Sequence, residues 1–450
     1  MKKIYNNYWF ICFLFLSLAS CNDDNVDEVF ADSPADRIAQ GNSELLNALL
    51  AQQNGFKAVY FTKNDEFGGF TFFMNFAADG TVAMTSDFDA NTAIESSSYE
   101  VRLGTTTELV FTTRNHIQKV SNPDLPGLIG TGFKGTSVFQ LFANEDGKLI
   151  FKDARNRDTA TLILTPTNFS NFETESIASV EASLQNRDSF VNSSAVTSFP
   201  FMRIDDGTGN IKEYSLNYDG FRLFANPFTI NDDGSISDLN FGLAFTEEGF
   251  TISPALDLGE TKIEDFVLDQ TSGSDYIAEV NNIKVKIGYG NVPVVPLDSY
   301  DFGTAHEVAV FNLAEMFKHS APFNNFYENY TTNLAANPTL PGLEITNIIL
   351  WELNTGGIPY IDIRTNYGNV FYDLDFTYDE NTGIVIFSLT GATNAPGFFT
   401  DLLQPLLDVF ILSSTGYYTV NSGTYQNFSN RTFSLINADN PSYKIDYWTF

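Results

Sequence analysis

A turn signature that recurs along the chain restricts its fold more than any other feature. Each copy has an aromatic residue, then a few polar or acidic residues, then a glycine and a run of apolar and β-branched residues. The copies end at Gly80, Gly147, Gly234, Gly249 and Gly383. Glycine in such a place supplies the positive φ that tight hairpins need. The repetition therefore predicts a chain built mostly of antiparallel hairpins.

Alternation between the turns supports half-buried strands. In the run Tyr360–Arg364 two isoleucines alternate with polar groups, and Tyr372, Leu374 and Phe376 alternate with two aspartates. This is the pattern of an antiparallel sheet with one buried face. We predict a mainly β fold of antiparallel sheets, barrel- or sandwich-like, with a few short helices.

The length of 450 residues predicts two domains. Asn, Ser and Thr are dense over residues 186–200, between two β-rich regions, and we place the domain boundary there. The predicted organisation is a signal peptide (1–20), an acidic tether (21–34), an N-terminal β-rich domain (35–190) and a C-terminal β-rich domain (200–450) with a helix near 398–412.

Composition excludes two broad classes of protein. Hydrophobic residues make up 43% and aromatics 15%, which is too much for a disordered chain. There are 56 acidic against 24 basic residues, a net charge of −32. Such a surface repels a phosphate backbone, so we expect no nucleic acid partner.

The N-terminus predicts export and a lipid anchor. Lys2 and Lys3 precede the apolar run Tyr8–Leu18, which is too short to span a bilayer and is typical of a secretory signal. Leu18-Ala19-Ser20-Cys21 then matches a lipoprotein cleavage site, which makes Cys21 the lipidated residue. The alternative is a plain signal peptide with a chance cysteine. Cys12 would leave with the signal, so no intrachain disulfide is expected.

A stretch rich in acidic residues follows at once, and its candidate signal residues are Asn22, Asp23, Asp24, Asp27 and Glu28. An acidic stretch of this kind is usually a solvated linker. It also resembles the surface-export signal of lipoproteins in Bacteroidota. That resemblance implies the outer membrane, with the protein facing outward.

Motifs for catalysis or metal binding are incomplete. His306 starts a zincin-like pattern, but Val310 occupies the place of the second histidine. Glu315 and His319 have helical spacing, yet a catalytic zinc needs three protein ligands. We therefore predict no catalytic residue, no metal site and no cofactor. A pair of carboxylates, as in glycoside hydrolases, stays open as an alternative.

A binding face is the better prediction. Trp351, Tyr360, Tyr367 and Tyr372 lie on or beside predicted strands in the last third of the chain. Aromatic residues on an exposed sheet face suit the stacking of sugar rings. The alternative is that they are core or cross-strand pairs.

Several short motifs occur in an order that resembles a known family over residues 33–270. They are Gly55-Phe56-Lys57, Gly68-Gly69-Phe70, Asp79-Gly80-Thr81-Val82, Ser121-Asn122-Pro123 and Asp219-Gly220-Phe221-Arg222-Leu223. The family is the Bacteroidota lipoproteins catalogued as domain of unknown function 4302. The resemblance implies a surface lipoprotein encoded beside SusC/SusD-type uptake machinery.

Together these features predict a surface-exposed outer-membrane lipoprotein that is not an enzyme. Its expected role is ligand binding or an accessory part in nutrient uptake. The expected partners are the membrane, a SusC/SusD-type transporter complex, and a glycan or peptide ligand. The alternatives are a surface hydrolase that uses carboxylates and a structural scaffold of the uptake complex.

Overall fold

A computed structural model describes residues 34–192, 199–295, 307–316, 319–379, 381–393, 397–410, 413–425 and 428–449. The predicted signal peptide, Cys21, and the predicted export residues Asn22, Asp23, Asp24, Asp27 and Glu28 lie outside this part of the chain.

The first eight strands close into a barrel, with each strand antiparallel to the next and β8 paired back onto β1. The strands are β1 (Phe56–Phe61), β2 (Gly69–Phe76), β3 (Thr81–Ser86), β4 (Glu95–Leu103), β5 (Thr107–Phe111), β6 (Val138–Glu145), β7 (Lys148–Asp153) and β8 (Thr161–Pro166).

The next nine strands form a second sheet in the order β10-β9-β17-β16-β15-β14-β13-β11-β12. Because β10 also pairs with β11, the sheet curls back on itself. The strands are β9 (Phe199–Asp205), β10 (Ile211–Asp219), β11 (Phe224–Ile230), β12 (Ile236–Asp238), β13 (Phe241–Phe245), β14 (Gly249–Leu258), β15 (Thr261–Leu268), β16 (Tyr276–Val280) and β17 (Ile283–Gly290).

The last eight strands close a second barrel in sequence order, with β25 paired onto β18. They are β18 (Ala309–Phe311), β19 (Ile345–Trp351), β20 (Tyr360–Thr365), β21 (Gly368–Asp379), β22 (Ile384–Thr393), β23 (Tyr417–Thr424), β24 (Arg431–Asn437) and β25 (Lys444–Thr449). We call this the C-terminal barrel.

Among the described residues, one helix precedes the first strand and four lie in connections between strands. They are α1 (Pro34–Ala51), α2 (His116–Lys119), α3 (Phe172–Asn192), α4 (Ala321–Ala335) and α5 (Gly397–Phe410). None of the described helices is long and apolar enough to cross a membrane.

Helix α3 joins the first barrel to the second sheet, and the sequence pattern did not predict this helix. Its apolar positions are sparse, but its start is well capped. The Asn171 side chain accepts a hydrogen bond from the Thr174 N–H at 3.2 Å, and the Glu175 carboxylate accepts one from the Asn171 N–H at 2.8 Å. These bonds satisfy backbone donors that a helix start leaves free. The Asn and Glu spacing was the available signal.

The three sheets share two main apolar cores. One continuous apolar cluster runs through the first barrel and the second sheet, while the C-terminal barrel has its own cluster around Phe323, Ile363 and Tyr372. The first two sheets therefore pack as one body. An aromatic contact between Phe199 and Tyr418, with ring centroids 5.0 Å apart, links this body to the C-terminal barrel.

The predicted fold class is confirmed: the described chain is mainly β, with antiparallel sheets that close into barrels and a few helices. The helix predicted near 398–412 is α5, and residues 411 and 412 lie outside the described part. Residues 186–200, predicted as a domain boundary, include the end of α3 and the start of β9. The region 200–450, predicted as one domain, contains two sheets.

Candidate functional site

The outer face of the C-terminal barrel carries the strongest candidate for ligand contact. Along β20, Ile361 and Ile363 are buried in the barrel core. Because side chains alternate along a strand, Tyr360, Asp362 and Arg364 point outward. The outer position of these three residues follows directly from the alternation in the sequence.

Strand register places further aromatic residues beside them. Trp351 on β19 lies directly opposite Tyr360, and Phe371 on β21 lies opposite Asp362. The rings of Tyr360 and Phe371 meet edge to face, with centroids 5.9 Å apart. We call Trp351, Tyr360, Asp362, Arg364 and Phe371 the outer strip. Three adjacent strands thus contribute one aromatic residue each to the same face.

Asp362 gives the outer strip its polar character. The carboxylate is only 2% exposed, and its Oδ2 accepts a hydrogen bond from Arg364 Nε at 2.8 Å. Its Oδ1 is buried and has no hydrogen-bond partner, and the same is true of Trp351 Nε1. Buried polar atoms without partners are rare in folded proteins. One acceptor and one donor therefore stand unused within the strip.

An aromatic stack extends the same side of the barrel. Val310 on β18 lies opposite both Ile349 and Trp448. The ring of Trp448 stacks on that of Tyr425 at 5.0 Å between centroids, and Tyr425 stacks on Phe428 at 6.0 Å. The Phe428 side chain is 58% exposed, so the stack ends in solvent.

The structure brings together two of the four predicted binding residues. Trp351 and Tyr360 are cross-strand neighbours, whereas Tyr367 lies in the turn after β20, where its hydroxyl donates to the Pro341 carbonyl at 2.7 Å. Tyr372 is 1% exposed and lies opposite Ile361, inside the barrel. The Tyr372 side chain therefore belongs to the core and not to an outer binding face. The sequence held this signal, since Tyr372 alternates in phase with Leu374.

Two acidic residues meet in the same barrel, as a hydrolase would require, but they are enclosed. Asn312 Nδ2 donates to Glu315 Oε2 at 2.7 Å and to Asp446 Oδ2 at 3.3 Å. Glu315 is 7% exposed and Asp446 is fully buried. His319 completes the cluster, and burial lowers its pKa to about 4. A substrate would not reach this pair without opening the fold.

His116 also lies in a buried network. Ser86 Oγ is 2.9 Å from Nδ1, and Nε2 is 2.8 Å from the Ala93 carbonyl, so the imidazole is held at both nitrogens. Burial lowers the pKa of His116. Both Ser86 and His116 are fully buried, which suits a structural pair better than a nucleophile and its base.

His306 lies outside the described residues. Within the described part of the chain, His, Cys, Asp and Glu do not gather into a group able to hold a metal ion.

A family model described as "Domain of unknown function (DUF4302)" matches residues 26–270. The chain belongs to this family. The matched region covers the first barrel and most of the second sheet, so the C-terminal barrel lies beyond it.

Two DUF4302 motifs from the sequence meet where the first barrel packs on the second sheet. The Gly68 N–H donates to the Arg222 carbonyl at 2.7 Å, and the Arg222 guanidinium lies 5.7 Å from the centre of the Phe67 ring. The ring of Phe221 contacts that of Phe133 at 5.7 Å. The motifs therefore have an architectural role.

No curated protein matches the chain. Among solved structures it is similar to the DNA polymerase III beta chain of Streptococcus pneumoniae, with 11% identity, a TM-score of 0.16, and coverage of 91% of this chain and 97% of that one. The sliding clamp of Bacillus subtilis gives 9% identity, a TM-score of 0.14, and coverage of 92% and 96%. A protein of unknown function from Nostoc punctiforme, of the DUF3598 family, gives 11% identity, a TM-score of 0.14, and coverage of 58% of this chain and 97% of that one. TM-scores this low carry no inference about this chain.

Proposed function

We propose that this protein is a lipid-anchored component of the outer membrane that faces outward and holds a glycan on the outer strip. Its role is capture, without catalysis, beside a SusC/SusD-type transporter complex. The observation that carries the proposal is the outer strip itself, where aromatic rings from three strands lie on the same face as the Asp362–Arg364 pair.

The chemistry of the strip suits a sugar. A sugar ring has apolar C–H faces and a rim of hydroxyls. Aromatic rings pack against the C–H faces of the sugar, and a few polar side chains in fixed positions form hydrogen bonds to its hydroxyls. Arg364 is 38% exposed at its side chain and donates in a fixed fork. The buried Asp362 carboxylate holds that guanidinium in place, because its Oδ2 accepts the hydrogen bond from Arg364 Nε at 2.8 Å. A peptide ligand would use the same rings and is the other expected class.

The anchor supports the same role. Acyl chains on Cys21 would hold the protein at the membrane, since each buried CH2 contributes about 0.8 kcal/mol. Residues 22–33 would then act as the tether before α1 begins at Pro34. Confinement near a transporter raises the effective concentration of a captured ligand.

Binding is tested with the chain from residue 22 onward on a glycan array and a matched peptide array. The variants are Trp351→Ala and Tyr360→Ala, with Tyr367→Ala as the control, because Tyr367 is an exposed tyrosine of the same barrel outside the strip. We expect the first two variants to lose at least about tenfold in affinity, equal to 1.4 kcal/mol, and the control to bind like the parent. Loss in the control alone, or a peptide ligand alone, would overturn the glycan site.

The anchor is tested by metabolic labelling with palmitate. We expect label in the parent and in Cys12→Ser, and none in Cys21→Ser. Label that survives in Cys21→Ser would rule out this anchor without touching the binding result.

A further inference from the structure

A second candidate site lies in the DUF4302 region, far along the chain from the outer strip. An open cavity of about 730 Å³ is bounded by α3, by the loop between β3 and β4 (residues 87–94), and by the hairpin between β15 and β16. This volume is typical of a small-molecule site. None of the outer-strip residues lines this cavity.

The loop wall is fixed in place. The Thr85 hydroxyl donates to the Thr92 carbonyl at 2.6 Å, and the Ala93 carbonyl lies 2.8 Å from His116 Nε2. Arg187 Nη1, on α3, donates to the Asp87 carbonyl at 2.7 Å, which ties the helix to the loop. The cavity therefore exists before any ligand arrives, and a ligand would not need to order its walls.

Charge on the lining has one sign. Glu181 and Asp188, both exposed and both on α3, line the cavity, while no lysine or arginine does. Seven residues along a helix correspond to about 10 Å and return to nearly the same face. The two carboxylates therefore face the cavity at its two ends along α3.

The surface between the carboxylates combines apolar side chains with the polar Gln185 of α3. Leu184 lies between them on the same helix face, and Leu268 and Tyr276 line the opposite hairpin. Tyr276 is 1% exposed, and its ring lies 4.9 Å from that of Phe250 between centroids, so this residue belongs to the core. A ligand that fits has a cationic group at each end and a hydrocarbon segment in the middle.

We propose that this cavity binds a linear dication, such as a diamine, whose two ammonium groups pair with Glu181 and Asp188 and whose methylene chain lies on Leu184 and Leu268. Two separated charges, with no cation among the lining residues, select such a ligand over a neutral or anionic one. The exposed carboxylates make the binding weaker at high salt.

Calorimetry with 1,8-diaminooctane as the probe tests the proposal on the chain from residue 22 onward. Octylamine keeps the hydrocarbon and one charge, and 1,2-diaminoethane keeps two charges at short spacing. We expect the long diamine to bind at least tenfold more tightly than either, and its affinity to fall when salt rises from 20 to about 300 mM.

The variant Glu181→Gln with Asp188→Asn should lose at least tenfold in affinity for 1,8-diaminooctane. A matched control, Glu173→Gln with Asp158→Asn, removes two exposed acids outside the cavity and should bind like the parent. Both pairs change surface residues, and equal melting temperatures would show that both fold. Equal affinity for octylamine and the diamine, equal loss in both double variants, or no binding of the diamine would each overturn the dication site and leave the glycan test unaffected.

Discussion

The backbone N–H of Gly68 donates to the carbonyl oxygen of Arg222 at 2.7 Å, and this bond joins the first barrel to the second sheet. The strands can approach this closely because residue 68 has no side chain. A Cβ there would press into the carbonyl oxygens of Leu223 and Leu243. The one continuous core of the DUF4302 region depends on this approach.

Gly68→Ala should therefore destabilise the protein by about 3 kcal/mol or more, since neither backbone oxygen can move without parting the two sheets. Denaturant unfolding followed by circular dichroism measures the loss. Gly290→Ala is the control, because its Cβ would find only ordinary contacts from 3.4 Å outward. Equal stability of the two variants would show that the junction is not tight.

Local turn chemistry could be predicted from the sequence. Gly80, Gly147, Gly234 and Gly383 all have the positive φ expected of their turns. Gly249, which has the same signature, does not. It begins β14, and a Cβ there would press into the Phe266 carbonyl oxygen. The signature predicts that a glycine is required, but the reason for it depends on contacts distant in sequence.

Closure of the sheets could not be predicted. The first barrel closes where β1 pairs with β8, for example Phe61 with Thr161. The sequence of neither strand indicates which other strand it will pair with. The candidate sites follow the same division. The neighbours Trp351 and Tyr360 belong to one hairpin and were predicted, whereas the α3 cavity needs three segments that only tertiary packing brings together.

Tyr360 and Tyr372 should respond differently to the same change. Tyr372→Ala empties part of the C-terminal barrel core and should cost about 3–5 kcal/mol, as buried aromatic residues do. Tyr360→Ala removes an outer ring and should cost less than about 1 kcal/mol. Beyond residue 21 the tryptophans are Trp351 and Trp448, so their fluorescence reports unfolding of this barrel alone. Similar losses in both variants would contradict the assignment of the two faces.

Asp87→Asn should stabilise the first barrel at high pH. Burial raises the pKa of Asp87 to about 7, against the opposing effects of Arg187 and of the Thr71 N–H that donates to Oδ1 at 2.8 Å. The folded state thus binds the proton more tightly than the unfolded state, so the parent loses stability as pH rises from about 4 to 7. Asparagine keeps the acceptor without the charge. We expect its advantage to grow by at least about 1 kcal/mol between pH 4 and 8 in urea unfolding, and a shrinking advantage would refute the argument.

His319→Asn should remove an acid sensitivity of the C-terminal barrel. Burial lowers the pKa of His319 to about 4, the positive charge of Lys444 adds to the shift, and the bond to the Asn312 carbonyl opposes it. His319 Nδ1 accepts a hydrogen bond from the Asp446 N–H at 2.7 Å. Protonation of Nδ1 would turn it into a donor, and this hydrogen bond would be lost. The unfolded chain takes this proton near pH 6.5 and the folded chain only near pH 4. The contribution of His319 to the free energy of unfolding is therefore fully present above about pH 6.5, and up to about 3 kcal/mol of it is lost as pH falls to 4.

Unfolding in urea, followed by tryptophan fluorescence at pH 7, 5.5 and 4, measures how steeply the stability of the C-terminal barrel falls with pH. Asparagine keeps an acceptor and cannot be protonated, so the variant should have a lower starting stability but a flatter slope. His116, whose pKa burial also lowers, contributes equally to both proteins and cancels. Parallel slopes in parent and variant would mean that folding does not lower the pKa of His319.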